Sequence, residues 1–270
     1  MERAIGVIDS GVGGLTVAHE LMRQLPKEEL IYVGDTKRCP YGTRSKEEVR
    51  KFTWEMVDFL LTKNIKTLVV ACNTATAFTL VDLQEKLPIP VIGVIQPGAR
   101  AAIKSTVTNE VGVIGTDGTI RSHAYEYALK SIKTDIEVES LACPMFVPMI
   151  EKGILSGEQA DDIIEDSLQL MKGNLQMDTL ILGCTHYPLI EAAIQQVIGE
   201  HITIVSSSEE TAREASTILD VHQLLYLGNR IPTHQFYATG DLRLFKKISE
   251  SIFNETDDVY TVNSEQISID

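Results

Sequence analysis

Nowhere does this 270-residue chain run to the roughly 18 consecutive apolar residues that a membrane-spanning helix needs, so no integral membrane role is expected. Cysteine is scarce. Its four cysteines include no CxxC pair, which favours reduced thiols over a disulfide framework. Positive charge is also short: 24 Lys and Arg face 38 Asp and Glu, for a formal charge of −14. A nucleic-acid footprint or an anionic membrane surface calls for a basic patch, so neither partner is expected. An anionic ligand would have to be held locally, against a repulsive mean field. The stretch Met1-Glu2-Arg3-Ala4-Ile5-Gly6 leads straight into a strand without the regions of a signal peptide, and a cytoplasmic protein is expected.

What is present is organised around Val69-Val70-Ala71-Cys72-Asn73-Thr74-Ala75. A short apolar run ends at a cysteine, and small polar residues then open a helix, which places Cys72 at the carboxyl end of a strand. Open α/β sheets bind ligands there. The stretch Leu180-Ile181-Leu182-Gly183-Cys184-Thr185-His186-Tyr187-Pro188 repeats the design. So do Gly6–Gly11 with Gly112–Asp117 and Cys39-Pro40 with Cys143-Pro144, and the paired positions lie 104 to 112 residues apart. An internal duplication follows. The expected fold is two similar three-layer α/β domains with mostly parallel sheets, related by a pseudo-twofold duplication, with the active site in the cleft between them.

Along the chain, residues 4–8 read as a strand, and Asp9-Ser10-Gly11-Val12-Gly13-Gly14 as a turn into a helix. GVGG matches neither GxGxxG nor a P-loop, which argues against a nucleotide site; Asp9 has an N-cap as its plainer role. Ser45 and Glu48 form a capping box before an apolar helix face, and Ser156 with Gln159 suggests a second box on a helix running to about Gly173. The lone Trp54 falls off its helix stripe and reads as partly exposed packing. Gln96-Pro97-Gly98 breaks the pattern and is placed as the first crossover, followed by a helix over 99–104. Ser206-Ser207-Ser208 is the second crossover and an N-cap. The strand Gln235–Thr239 and the helix Leu242–Phe253 have no partner in the second half. The expected domains are therefore 1–96 with 208–270, and 97–207. Val259–Val262 suggests a last edge strand. Glu151, flanked by apolar residues, is expected in a partly enclosed position.

The segments Ile8-Asp9-Ser10-Gly11-Val12-Gly13-Gly14, Ala71-Cys72-Asn73-Thr74-Ala75, Gly183-Cys184-Thr185-His186-Tyr187-Pro188 and Cys39-Pro40-Tyr41-Gly42 resemble the signature stretches of the glutamate racemase family, in the aspartate/glutamate racemase superfamily. The resemblance spans nearly the whole chain. It implies interconversion of L- and D-glutamate without a cofactor, D-glutamate for peptidoglycan in a bacterial cytoplasm, and a small-molecule substrate; a homodimer stays open. Racemisation removes the α-proton from one face and returns one on the other, and two thiols on opposite faces serve as the two acid/base groups. Within the resemblance, Asp9 lies near Cys72, His186 serves Cys184, and Asp35 and Glu151 match further acidic positions.

Stabilising the developing charge falls to backbone amides and hydroxyls. No lysine stands in a motif for a pyridoxal Schiff base, and no His/Asp/Cys cluster has a metal's spacing, so no cofactor or metal is expected. Ser10, Asn73, Thr74 and Thr185 sit at strand ends suited to carboxylates. The resemblance adds Tyr41 and Gly42, and Thr116 and Thr119 are candidates from the second half. Against this, a cysteine at a strand end is commonly a small packing residue, and only the repeated context lifts Cys72 and Cys184 above that. Cys39 and Cys143 are read as structural. His19, His123, His201, His222 and His234 are read as surface or packing groups, and Asp161-Asp162 with Glu165-Asp166 as a solvated helix face. The alternatives are a racemase of another acid such as aspartate, a hydantoin racemase or related decarboxylase, a two-cysteine redox or metal-binding protein, and a non-enzymatic interaction protein.

Overall fold

The computed structural model describes residues 1–253 and 261–269. Its strands are β1 (Ile5–Asp9), β2 (Leu30–Gly34), β3 (Thr67–Val70), β4 (Val91–Gly93), β5 (Glu110–Gly115), β6 (Glu137–Ala142), β7 (Thr179–Gly183), β8 (Thr203–Ser206), β9 (Thr233–Ala238) and β10 (Thr261–Gln266). They form two sheets, in the orders β10-β9-β2-β1-β3-β4 and β6-β5-β7-β8. Every pairing among them is parallel. The duplication is visible as topology: β2-β1-β3-β4 and β6-β5-β7-β8 are the same four-strand order written twice.

The central strands β1, β2, β3 and β7 are buried at every residue, as befits parallel strands covered on both faces. The helices α1 (Leu15–Gln24), α2 (Lys46–Thr62), α3 (Asn73–Lys86), α4 (Ile95–Ser105), α5 (Asp117–Arg121) and α6 (Ala124–Ile132) cover them, with α7 (Phe146–Glu151), α8 (Glu158–Leu168), α9 (Glu191–Ile198), α10 (Ser207–Val221) and α11 (Leu242–Phe253). One apolar core packs Leu15, Ala18 and Leu21 of α1 with Ala212, Ala215 and Leu219 of α10 and Phe236 of β9. A core on the second sheet includes Ile95, Ala99 and Ala102 of α4 with Val111, Val113 and Ile181. Hence β9, β10, α10 and α11 return to the first sheet, while α4 has already crossed to the second.

In each sheet the chain runs from the first strand to a neighbour on one side, then to a strand on the other side. The switch falls between β1 and β3, and again between β5 and β7. Crevices at such points, beyond the strand carboxyl ends, are where doubly wound sheets take ligands.

Side-chain caps start α2, α3, α5 and α10. Ser45 Oγ accepts the Glu48 N–H at 3.2 Å and Glu48 returns a bond to the Ser45 N–H at 3.0 Å, completing the expected box. Ser206 caps α10. Two expectations need correcting. Gln96-Pro97-Gly98 does not break the chain but lies in the first turn of α4, where proline's missing N–H costs no helical bond. The box at Ser156 does not form: Gly157, at φ 89° in the left-handed region, caps α8 without a side-chain bond, and α8 ends at Leu168 before a 3₁₀ turn at Met171–Gly173. Glycine tolerates that φ where serine would be strained, so the chain turns one residue later. The last edge strand starts at Thr261; Val259 and Tyr260 lie outside the described residues.

Behind the strands, the buried Lys66 ammonium donates to the Glu28 carboxylate and to the Leu224 carbonyl at 2.8 Å, and Glu28 accepts the Tyr226 N–H at 2.7 Å. This pair ties the start of β3 to the chain leaving α10. Removing one member of a buried ion pair strands the other, at about 3–5 kcal/mol. Glu28→Ala is expected to lower unfolding free energy by that amount in urea titrations; a loss under about 1 kcal/mol would show that the ammonium finds water instead.

Candidate active site

The two switch points face each other and are bonded together. Thr185 Oγ1, after β7, donates to Asp9 Oδ1 at 3.1 Å. Thr74 Oγ1 meets Thr116 Oγ1 at 2.8 Å and Thr119 Oγ1 at 3.1 Å, and the Gly118 N–H donates to the Gly42 carbonyl at 2.8 Å. Tyr125 of α6 donates to Asn73 Oδ1 at 2.7 Å. Glycine makes the approach feasible: a Cβ on Gly13 would stand 2.5 Å from His186 Nδ1, and one on Gly42 2.3 Å from the Thr116 Cβ.

Between the sheets lies a narrow crevice, with Cys72 and Cys184 both in its wall. Of the residues singled out from sequence, Ser10, Tyr41, Gly42, Asn73, Thr74, Thr116, Thr185 and His186 also line it. Pro40, Val147 and Gly183 complete the wall. Asp9, Asp35, Thr119 and Glu151 stand behind it, each bonded to a neighbour of the cavity.

Cys72 is the N-cap of α3, its Sγ accepting the Ala75 N–H at 3.4 Å and lying 3.5 Å from Ser10 Oγ. Burial, reinforced by the Asp9 carboxylate, pushes this thiol up to about 12 against the opposing bonds from Ser10 and Ala75. Cys184 has a different neighbour, His186 Nδ1 at 3.9 Å. On its other side the ring meets Glu151 Oε1 through Nε2 at 2.7 Å. Burial alone would drive the imidazole down, but its bonds to Cys184, Cys39 and Glu151 prevail and hold it well above the usual histidine range. The same pairing lowers Glu151 despite its burial. A buried imidazolium–carboxylate pair thus backs one thiol, and a carboxylate with a hydroxyl the other.

Asp9 performs a cap-like role and more: Oδ2 accepts the Gly11 and Gly14 N–H groups, both at 3.0 Å, while Oδ1 takes Thr185. Asp35 lies off the cavity because its oxygens are already engaged, by Arg38 at 2.6 Å, the Tyr41 hydroxyl at 2.5 Å and Thr239 at 2.8 Å. It orients Tyr41 rather than facing the thiols.

Two residues escaped the sequence reading. Cys39, taken as structural, points its Sγ at Glu151 Oε1 at 3.6 Å; its place two residues before Tyr41 was the available signal. Tyr125 looks like an ordinary core-facing aromatic in sequence, yet it fixes Asn73. With Oδ1 so engaged, the buried Asn73 Nδ2 has no hydrogen-bond partner and sits in the cavity wall, a donor awaiting an acceptor. Cys143 is buried in the core of the second sheet and His234 accepts the Leu30 N–H, as packing roles require.

The fold sets two equivalent switch points face to face, with a cysteine beyond a strand's carboxyl end at each, and this arrangement is the one found in a family of amino-acid racemases. The chain belongs to the Asp/Glu/hydantoin racemase family, whose profile matches residues 5–215, and within it to the glutamate racemases. It is 69% identical over 256 residues to the glutamate racemase of Oceanobacillus iheyensis, covering 95% of this chain and 93% of that one. The crystal structure of a glutamate racemase isoform from Bacillus anthracis superposes with a TM-score of 0.92 at 49% identity, over 99% of both chains. That of the Francisella tularensis glutamate racemase in complex with D-glutamate gives 0.89 at 35% identity, covering 100% of this chain and 98% of that one.

Two outcomes follow from this geometry. Gly13→Ala is expected to push the two sheets apart and lower kcat/KM at least about tenfold with the circular dichroism of the fold unchanged; full activity would mean that His186 yields without cost. Glu151→Gln removes the charge that opposes burial at His186, so the imidazole loses its proton at lower pH. The alkaline limb of the kcat/KM profile is expected to move down by about one unit or more, and an unmoved limb would separate Glu151 from His186 in function.

Proposed function

We infer that the chain interconverts L- and D-glutamate by proton transfer between substrate and the two thiols, and so supplies D-glutamate for peptidoglycan in the cytoplasm. The observation that carries this reading is the placement of Cys72 and Cys184 on one small cavity, each from the carboxyl end of an equivalent strand. One thiol removes the α-proton as thiolate. The other donates a proton to the opposite face of the planar carbanion-like intermediate.

The two sides are prepared differently. Cys72 holds its proton firmly, which suits a donor, and the imidazolium of His186 offers a counter-charge to a thiolate at Cys184. Reversal of the reaction exchanges these roles, with Ser10 and Asp9 near one thiol and His186 with Glu151 behind the other. Asn73 Nδ2, the hydroxyls of Ser10, Thr74 and Thr116, and the N–H groups at the start of α3 are the donors for the substrate carboxylates. The division into 1–96 with 208–270, and 97–207, belongs to this reading, with the reacting groups drawn from both units. Glutamate is favoured over aspartate by the names of the relatives at 69% and 57% identity, both glutamate racemases.

The test is circular dichroism of the purified protein with L-glutamate, then D-glutamate, in D₂O, followed by mass spectrometry. Optical signal is expected to vanish from both enantiomers with one deuterium gained at the α-carbon. Cys72→Ala and Cys184→Ala are each expected to lower turnover by about 10²–10⁴. Activity on aspartate alone corrects the substrate, and full turnover in either variant would falsify the two-thiol scheme.

A further inference from the structure

Cys39, Glu151 and His186 lie far apart in the chain, Glu151 being 112 residues from Cys39 and 35 from His186. The fold nonetheless brings a thiol sulfur, a carboxylate oxygen and an imidazole nitrogen within 4.8 Å of one another. We propose that this trio binds a zinc-type divalent cation, and that its occupation arrests the racemase. The arrest rests on the role given above to His186; the binding does not.

The donor set selects the metal. Thiolate, imidazole and carboxylate together suit Zn²⁺, whereas Mg²⁺ and Ca²⁺ seek oxygen alone. Three protein ligands leave one position of a tetrahedron for water or a substrate carboxylate.

The geometry needs little adjustment. With bonds of ~2.0–2.3 Å, tetrahedral donors stand about 3.3–3.7 Å apart. Cys39 Sγ and Glu151 Oε1, at 3.6 Å, already do. His186 Nε2 and the same oxygen, at 2.7 Å, must part by roughly half an ångström. Glu151, the last residue of α7 with a side chain 19% exposed, has room to give.

Space and access agree with this. A Cβ added to Gly11 would stand 2.7 Å from Glu151 Oε1, 3.0 Å from Cys39 Sγ and 3.4 Å from His186 Cε1, so the bare glycine keeps that side of the donors open. Cys39 and Glu151 are both partly exposed, which gives a cation a path from solvent. Binding sends the Cys39 thiol proton and the His186 Nε2 proton to solvent. It also takes the ring whose Nδ1 faces Cys184 at 3.9 Å, and the imidazolium behind that thiol is lost.

The experiment uses the full chain, reduced with a non-coordinating phosphine and stripped by chelator, with Co²⁺ as probe and Zn²⁺ as competitor. One equivalent of Co²⁺ is expected to give a thiolate charge-transfer band and intense tetrahedral visible bands, displaced by Zn²⁺. Cys39→Ser is expected to abolish the charge-transfer band and weaken binding at least about tenfold, while Cys72→Ala and Cys184→Ala keep the band. X-ray absorption of the wild-type zinc form, which needs no variant, is expected to find one sulfur ligand. Two sulfurs, a band surviving in Cys39→Ser, or no cobalt binding overturns the site and leaves the racemase reading intact. Saturating Zn²⁺ is expected to slow racemisation at least about tenfold, reversibly on adding chelator, each variant being compared with its own metal-free rate. A filled site with undiminished turnover overturns the arrest and the role of His186 together.

Discussion

The buried carboxylate of Asp9 is the constraint on which the rest of the site depends. An ionised group with no exposure must be fully bonded, and Asp9 meets that demand with two N–H groups of the glycine turn and one hydroxyl from the other sheet. Each bond fixes something different. The N–H pair sets the path from β1 into α1 and places Ser10 beside Cys72. The hydroxyl bond sets Thr185, and through it the chain between Cys184 and His186. A single side chain thus holds the surroundings of both thiols, and charge-assisted bonds of this kind are stronger than neutral ones.

The duplicated scaffold delivers two thiols in equivalent places but unlike electrostatic settings. Both cysteines follow a buried strand next to a switch point. Past that point the copies diverge: Cys72 caps a regular helix of 14 residues, whereas Cys184 leads into a short 3₁₀ turn at Tyr187–Ile190. The turn turns His186 back toward the cysteine two residues before it, where the helical copy carries Thr74 outward to Thr116. Divergence in the first turn after each strand therefore gives the two thiols unlike neighbours, Ser10 and the Ala75 N–H for one and His186 for the other.

Much of this was legible in the sequence because parallel strands and their turns are local chemistry. Runs such as Leu68–Val70 and Leu180–Leu182 can only be buried, and the residue that ends each run must sit at the sheet's carboxyl edge. The helix at Ile95 was obscured because proline and glycine weaken a helix interior yet are harmless in a first turn, and position within the helix is not known until its start is known. The surroundings of Cys39 and Asp35 are hidden for a different reason. Their partners, Glu151 and His186 for one and Tyr41, Arg38 and Thr239 for the other, come from several loops, and such gatherings leave no periodicity to read. Tyr125 is the extreme case, a helix-face aromatic whose hydroxyl alone carries its role.

The acidity of the chain and the anionic character of its substrate are reconciled by scale. At physiological ionic strength exposed charges are screened beyond about 8 Å, so most of the −14 acts on solvent and not on the cavity. Inside, the carboxylates are consumed before a substrate meets them: Asp9 by two amides and Thr185, Asp35 by Arg38, Tyr41 and Thr239, Glu151 by His186. What remains facing the cavity is donor-rich, including the unpartnered amide of Asn73. A wall of hydroxyls and N–H groups favours an anion more strongly than a distant surface charge opposes it, because the local dipoles act at contact distance and the surface charge acts through solvent. The protein can therefore be acidic overall and still present its substrate with a cavity that selects for negative charge.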